Sequence, residues 1–209
     1  MSSESSDDET TEPGSPYGDP ETRRRVLRAT WELIEEQGAT PTLSRVADRA
    51  EVSRQAVYLH FGDRPGLLVA LVRFIDEKLE LDDTAAYVRQ APSGPEALKR
   101  LVHAIAGFAA AVDPVAQVLE AEQHQDASVR AAWRDRMRGR RAMARSILEA
   151  IETEGHLADG WDTETASGLC YALTMPGVWR ELTQESGWTT QQYADNVWRL
   201  LRDSLLDRG

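Results

Sequence analysis

Apolar residues recur every three or four positions along most of the chain, which is the spacing of amphipathic helices rather than of strands. The first such stretch begins at Pro20 and ends at Gly38. Two short helices follow, at 43–50 and 54–61, and only two residues separate the first from the N-cap of the second. Helices of this length joined by so short a turn are typical of a helix-turn-helix.

Six more helices are predicted beyond residue 62, which makes the chain all-α with about nine helices in total. Asp113-Pro114 is expected to end the fifth helix and start a short sixth, since proline disfavours a helix interior. Pro176-Gly177 is expected to interrupt the eighth helix. On the third helix, the residues predicted to point inward are Ala56, Val57, Phe61 and either Leu59 or His60.

Charge and composition divide the chain into three parts: a disordered acidic tail at 1–19, a helix-turn-helix domain at 20–66 and a larger helical domain at 67–209. The net charge is −11, which at first sight argues against a nucleic-acid partner. The acids are unevenly placed, however. Residues 1–22 carry seven acids and no lysine or arginine, whereas residues 23–64 carry eight arginines and six acids. The one basic segment is therefore short, lies near the N-terminus and contains the two short helices.

Other classes of protein find little support in the sequence. A single cysteine, Cys170, excludes a disulfide framework and a cysteine-built zinc site, and it is expected to be a small core or interface residue. No apolar run reaches the ~20 residues of a membrane span, and the N-terminus lacks a secretory pattern, so a cytoplasmic protein without membrane contact is expected. Phosphate-binding, dinucleotide-binding and hydrolase motifs are missing, so neither enzyme activity nor a cofactor or metal is expected.

The segment 42–68, TLSRVADRAEVSRQAVYLHFGDRPGLL, resembles the helix-turn-helix of the TetR family of transcriptional regulators. The similarity lies in the pair Val46-Ala47, the turn 50–53, the helix end 58–61 (Tyr-Leu-His-Phe) and the next helix start at 63–68. It covers about residues 20–75, and a weaker similarity to the last two helices of one subgroup covers 162–206. Glu51 stands where the family has a turn glycine, and Arg64 stands where it has lysine.

This resemblance implies that the third helix enters the major groove of double-stranded operator DNA. Arg54 can grip guanine and Gln55 adenine in bidentate fashion, while Tyr58 and His60 resemble a phosphate-contacting pair. The predicted DNA-contacting set is Thr42, Ser44, Arg45, Ser53, Arg54, Gln55, Tyr58, His60 and Arg64. The cluster 23–25 is either a solvated face or a DNA-binding arm.

The resemblance also implies that the larger domain binds a small effector and forms a homodimer. The predicted ligand-contacting residues, each of which also fits a core position, are His103, Phe108, Trp133, Met137, Arg140, Tyr171, Met175 and Trp179. The predicted dimer residues, whose stripes could instead face the subunit's own core, are Ala166, Leu169, Cys170, Leu173, Val197, Trp198, Leu201 and Leu205.

Arg140 is the least expected residue, because it lies on the apolar face of its helix between Met137 and Ala144. It either pairs with Glu120, Glu122 or Glu181, or snorkels to solvent, or reaches the effector cavity. The functional hypothesis is a repressor that a small molecule releases from a pseudo-palindromic operator. The alternative is a helical adaptor or regulator controlled by a protein partner.

Overall fold

The computed structural model describes residues 19–207, so most of the predicted acidic tail lies outside the described residues. Within this range the chain forms ten α-helices and a five-residue π-helical segment, Glu181–Glu185, that precedes the last of them. The helices are α1 Pro20–Gln37, α2 Leu43–Arg49, α3 Arg54–Phe61, α4 Arg64–Lys78, α5 Leu81–Arg89, α6 Gly94–Glu122, α7 Ala127–Thr153, α8 Thr163–Leu173, α9 Pro176–Arg180 and α10 Thr190–Leu205.

Each of the first four helices begins with a side-chain cap. Asp19, Thr42, Ser53 and Asp63 all adopt extended backbone and accept hydrogen bonds from backbone N–H groups of the turn that follows. These N–H groups have no partner within their helices, so the caps fix where the helices start. Gly38 ends α1 with φ of 62°, a left-handed conformation that glycine adopts without steric cost.

The all-α class is confirmed, and so is the amino-terminal three-helix unit α1–α3, which we call the head. The predicted break at Asp113-Pro114 is wrong. These two residues lie inside the continuous helix α6. Asp113 is buried and paired with Arg180 at 2.8 Å, and its neighbours Val115 and Ala116 are buried in the core. Tertiary packing therefore outweighs the one backbone hydrogen bond that a proline removes.

Two further differences bring the predicted nine helices to ten. α5 was not predicted, and it begins where Glu80 takes a left-handed conformation (φ 50°) that turns the chain away from α4. The predicted eighth helix is divided into α8 and α9 at Met175–Pro176, as the proline suggested. The β-bridge between Leu157 and Leu206 ties the loop after α7 to the end of α10.

Helix α6 is the central element of the larger domain. By length and composition alone it is apolar enough to cross a membrane, contrary to the sequence expectation that no segment is. Twelve of its residues are buried, and it packs against α7, α10 and α5. Its apolar surface is thus used in the protein's own core.

The buried residues form two clusters. The first joins the core of α1–α4 to parts of α6 and α7, so the head and the larger domain share packed side chains such as Leu71, Leu119 and Trp133. The second lies among α6, α7, α8 and α10. A continuous core of this kind makes α4 and α6 the mechanical link between the two ends of the molecule.

Candidate functional site

The amino-terminal end of α3 is an exposed polar surface on a rigid support. Val57 and Phe61 are buried and hold the helix against the head, while Arg54, Gln55 and Tyr58 are exposed on it. This surface also bears Leu59, whose exposed fraction is 69%. Of the two alternatives predicted to point inward, Leu59 is therefore wrong, and His60, near the carboxyl-terminal end of α3, is the half-buried residue.

The caps of α2 and α3 occupy two of the predicted DNA-contacting positions. The Thr42 hydroxyl accepts a hydrogen bond from the Arg45 backbone N–H at 3.3 Å, and the Ser53 hydroxyl accepts one from Ala56 at 3.1 Å. Ser44 and Arg45 are exposed in the first turn of α2. Thr42 and Ser53 thus have a structural role that accounts for their residue type without any ligand.

Two arginines are organised by aromatic rings at α3. The Arg54 guanidinium lies 5.6 Å from the centroid of the Tyr58 ring, one helical turn away. Arg23 lies 4.8 Å from the Phe61 ring and donates a hydrogen bond to the His60 carbonyl at 3.2 Å. Arg23 therefore ties α1 to the end of α3, whereas its neighbours in the 23–25 cluster are exposed.

The turn between α2 and α3 accepts backbone strain at Glu51. Its φ is 54°, in the left-handed region where glycine is favoured. The turn is as tight as a glycine would make it, since Glu51 and Val52 donate backbone hydrogen bonds to Asp48 and Ala47 at 3.2 and 3.0 Å. Glu51 therefore replaces the family's turn glycine without a change in the geometry of the turn.

Arg64, predicted to contact phosphate, pairs with a carboxylate of the larger domain. Its Nη2 donates to Glu122 Oε1 at 2.6 Å, and the Thr40 hydroxyl donates to the same oxygen at 2.9 Å. Glu122 is the last residue of α6. One carboxylate therefore holds both the first turn of α4 and the loop before α2, a contact across 58 residues that no local pattern indicates.

A large cavity lies among α4, α5, α6 and α7 and extends to the junction of α8 and α9. Its volume is about 1070 Å³. Most of its wall is apolar, and the residues that sequence reasoning missed come from α4, α5 and the inward face of α6. They include Val69, Val72, Ile75, Val88, Leu101, Ile105, Val112, Val115 and Leu119.

Four of the eight predicted ligand-contacting residues line this cavity, namely Phe108, Trp133, Met137 and Arg140. The other four do not. His103 is on the outer surface of α6, where its Nδ1 contacts the Lys99 carbonyl at 2.9 Å. Tyr171 lies beneath the Arg141 guanidinium at 4.3 Å, Met175 packs against the first core cluster, and Trp179 lines a small adjoining recess.

Arg140 lies on the wall of the cavity and is not paired with any of the acids proposed for it. Glu122 pairs with Arg64, and Glu120 lies 3.5 Å from Arg180. Within 19–207 no carboxylate lies within ion-pairing distance of Arg140, whose Nη2 donates to the Thr174 carbonyl. Burial lowers the pKa of this guanidinium because it disfavours the charged form.

The predicted dimer stripe on α8 and α10 needs correction. Five of its members are buried in the subunit's own second core cluster and leave no surface for a partner: Ala166, Cys170, Val197, Leu201 and Leu205. Leu169, Leu173 and Trp198 are half-buried, and Leu200, which was not predicted, is 51% exposed. The three-and-four spacing therefore identified the buried face of each helix. The half-buried and exposed apolar residues lie beside that face.

Cys170 is buried in this core, and burial raises the pKa of its thiol to about 12. A thiol of this kind is neutral and unreactive at ordinary pH. In the described part of the chain, no group of three or more His, Cys, Asp or Glu side chains is placed to hold a metal ion.

The comparisons with known proteins agree with this architecture. Residues 26–71 match the sequence model described as bacterial regulatory proteins, tetR family. The HTH-type transcriptional regulator SrpR of Pseudomonas putida is 40% identical over 65 residues, which are 31% of this chain and 30% of that protein. The chain spans less than half the length of the curated relatives that it matches.

Solved structures extend the similarity of fold to almost the whole chain. FadR of Bacillus subtilis, in complex with stearoyl-CoA, has a TM-score of 0.69 at 19% identity and covers 86% of this chain and 97% of its own. A regulator from Saccharomonospora viridis in complex with choline has a TM-score of 0.74 at 18% identity, over 91% of this chain and 100% of its own.

The fold and the capped α2–α3 pair define a helix-turn-helix protein with a large helical companion domain. Residues 26–71 thus carry the helix-turn-helix domain of bacterial regulatory proteins of the tetR family, and the rest of the chain shares the fold of the solved regulators.

Proposed function

We propose that this protein is a homodimeric transcriptional repressor that leaves a pseudo-palindromic operator when a small molecule occupies the α4–α7 cavity. The observation that carries the proposal is the exposed polar end of α3, with Arg54, Gln55 and Tyr58 on a helix fixed by a cap and by buried Val57 and Phe61. Side chains at the N-terminal end of such a helix reach base edges in the major groove.

The roles of the exposed residues follow from their hydrogen-bonding groups. Arg54 presents a planar fork that fits guanine O6 and N7, and Gln55 presents a donor and an acceptor that fit adenine N6 and N7. Arg45 and the Tyr58 hydroxyl suit phosphate oxygens, which fix the protein's register but carry no sequence information. The net charge of −11 is no obstacle, because the basic excess lies in the segment that would face DNA.

Control by a ligand is supported by the cavity. Its volume of about 1070 Å³ is at the upper end of the range for small-molecule sites. Helix α4 lines this cavity and also begins at Arg64, which is bonded to the end of α6. A ligand between α4 and α6 would displace one helix relative to the other and so reorient the heads of a dimer on the two half-sites.

Selection of bound DNA from a random pool tests operator recognition. Wild type should enrich a pseudo-palindrome, because a two-fold dimer presents two equivalent α3 helices. Gln55→Ala should relax the preference at one position per half-site, at a cost of about 1–3 kcal/mol of discrimination. Gln90→Ala, an exposed residue at the end of α5, is the matched control and should enrich the same sequence as wild type. Indistinguishable pools from wild type and Gln55→Ala would contradict base reading by Gln55.

Sedimentation tests the dimer. Truncation at the start of α10 is unsuitable, since this helix supplies buried Tyr193 and Leu201 to the subunit's core. Leu200→Asp instead places a charge on the exposed apolar surface of α10 and should yield folded monomers. Tyr87→Asp makes a similar change on α5, where 55% of the side chain is exposed, and should leave the dimer intact. A dimeric Leu200→Asp protein would place the interface elsewhere.

A further inference from the structure

A small recess adjoins the α4–α7 cavity near the junction of α8 and α9. It is lined by Arg140, Thr174, Trp179 and Phe108, and it shares Arg140, Thr174 and Phe108 with the wall of the main cavity. Its free volume is about 20 Å³, which is the size of a single small group and far below that of a ring. The recess thus brings the polar groups of Arg140, Thr174 and Trp179 to one end of a mostly apolar chamber.

Two residues that line this recess each carry a buried hydrogen-bond donor without a partner. Arg140 Nε and Trp179 Nε1 have no hydrogen-bonding partner among residues 19–207. Trp179 itself is only 5% exposed. Buried donors are satisfied in nearly all native proteins, because an unmet one costs about 1–3 kcal/mol. Because both donors belong to residues that line one recess, we expect an acceptor there.

The charge of the recess indicates what kind of acceptor. Asp113 also lines it, but both of its oxygens are engaged, by Arg180 at 2.8 Å, by Gln117 at 2.8 Å and by Gln184 at 3.3 Å. Within the described chain, Arg140 therefore keeps a positive charge that no carboxylate offsets. A neutral carbonyl would satisfy the donors, whereas only an anion would satisfy the donors and the charge together.

We infer that the recess is an oxyanion subsite, which holds the carboxylate of an amphipathic ligand whose apolar body fills the α4–α7 cavity. Arg140 and Trp179 bind the head group, and Val72, Ile105, Phe108 and Met137 contact the body. This inference deepens the proposed ligand control and rests on it for its regulatory meaning, although binding itself can be measured without DNA.

Calorimetry with two probes of equal length tests the head-group chemistry. The probes are decanoate and decan-1-ol, which share an alkyl chain and differ in charge. Wild type should bind decanoate at least tenfold more tightly, because a charge-assisted hydrogen bond contributes about 1.5–3 kcal/mol. Arg140→Met keeps the stem's volume and removes the charge, so it should bind both probes equally. Trp179→Phe should lose several-fold in decanoate affinity and little in decan-1-ol affinity.

Matched controls separate the subsite from general effects. Arg134→Met removes an exposed cation of the same helix that does not line the cavity, and it should keep the wild-type preference. Arg140→Lys retains the charge and should keep part of the preference for decanoate. It therefore keeps the test valid if Arg140→Met fails to fold. Equal wild-type affinities for the two probes, or a preference that survives in a folded Arg140→Met protein, would overturn the inference.

The two proposals fail in different ways. A wild-type protein that binds operator DNA but shows no carboxylate preference refutes the subsite and leaves the regulator intact. A protein that prefers decanoate through Arg140 but enriches no DNA sequence refutes the proposed function and leaves the subsite intact. Release of operator by decanoate in wild type, and not in Arg140→Met, supports both.

Discussion

Arg64 in the first turn of α4 and Glu122 at the last turn of α6 form an ion pair with 2.6 Å between Nη2 and Oε1. The Glu122 side chain is 16% exposed and the Arg64 side chain 41%. The same carboxylate oxygen accepts a hydrogen bond from Thr40, so it connects the loop before α2 and the first turn of α4 to a helix that lines the cavity. The sequence placed Arg64 among the DNA-contacting residues, because it lies at a helix N-terminus that favours an anion. The two roles make opposite predictions.

The first prediction concerns salt dependence. If Arg64 serves the ion pair, Arg64→Met should leave the slope of log affinity for DNA against log salt unchanged and lower the unfolding free energy by about 1 kcal/mol. Arg45→Met is the matched control on the exposed face of α2 and should flatten the slope by about 0.9 for one lost phosphate contact. Fluorescence anisotropy over a salt series measures both. A flattened slope in Arg64→Met would return Arg64 to the DNA interface.

The second prediction separates capping from DNA contact at Ser53. Ser53→Ala should lower the unfolding free energy by about 1 kcal/mol, because the Ala56 N–H loses its acceptor. Ser53→Asp restores the cap and the stability but places a negative charge beside DNA, so its operator affinity should fall while its melting temperature does not. Urea melts and anisotropy report the two quantities. Normal operator affinity in Ser53→Asp would show that Ser53 lies away from the phosphates.

The third prediction concerns the strained turn at Glu51. Glu51→Gly should raise the unfolding free energy by about 1 kcal/mol, since a left-handed conformation costs a residue with a Cβ roughly that amount. Gly38→Ala makes the reverse change at φ of 62°, in space that a methyl group would not crowd, and should destabilise by a similar amount. Denaturant melts check both variants. A destabilised Glu51→Gly protein would indicate that the Glu51 side chain supports the turn in another way.

The fourth prediction concerns pH and Cys170. Burial raises the pKa of its thiol from 9.0 to about 12. Below pH 9 the thiol is neutral in both the folded and the unfolded protein, so its contribution to the unfolding free energy is complete. As the pH rises from 9 through about 12, the thiol of the unfolded chain ionises first, and the unfolding free energy therefore falls. Urea melts over this range should show the loss, and Cys170→Ala should reduce it. Tyr193, whose pKa burial raises to about 12, contributes in the same direction.

Labelling with iodoacetamide gives a second readout for Cys170. At about pH 8 the folded protein should react far more slowly than the protein in concentrated urea, because the thiolate is the reactive form and the buried thiol is neutral. Rapid labelling under native conditions would show that the core around α8 opens readily.

Local sequence signals determined the helix-turn-helix in detail. Thr42 and Ser53 act as caps through their own hydroxyls, Gly38 ends α1 by its own backbone freedom, and Val57 and Phe61 face inward by helical spacing alone. Every one of these effects acts within about four residues, so a single sequence is sufficient to locate them. The same spacing identified the buried faces of α7 and α10, and with them the all-α class.

Tertiary structure decided everything that depends on contacts between distant segments. The carboxylate of Glu122 pairs with Arg64, which is 58 residues away in the sequence. Asp113 pairs with Arg180, 67 residues away, and this contact supports helix α6 at the position where the sequence predicts a break. Helix α5, which the sequence did not predict, forms one wall of the cavity beside α4.

Helical spacing shows that a residue such as Val197 is apolar and faces inward, but not whether it packs against the subunit's own core or against a partner. For Arg140 the sequence established that a cation lies on an apolar face, and packing alone placed it on the wall of a cavity without a carboxylate beside it in the described chain.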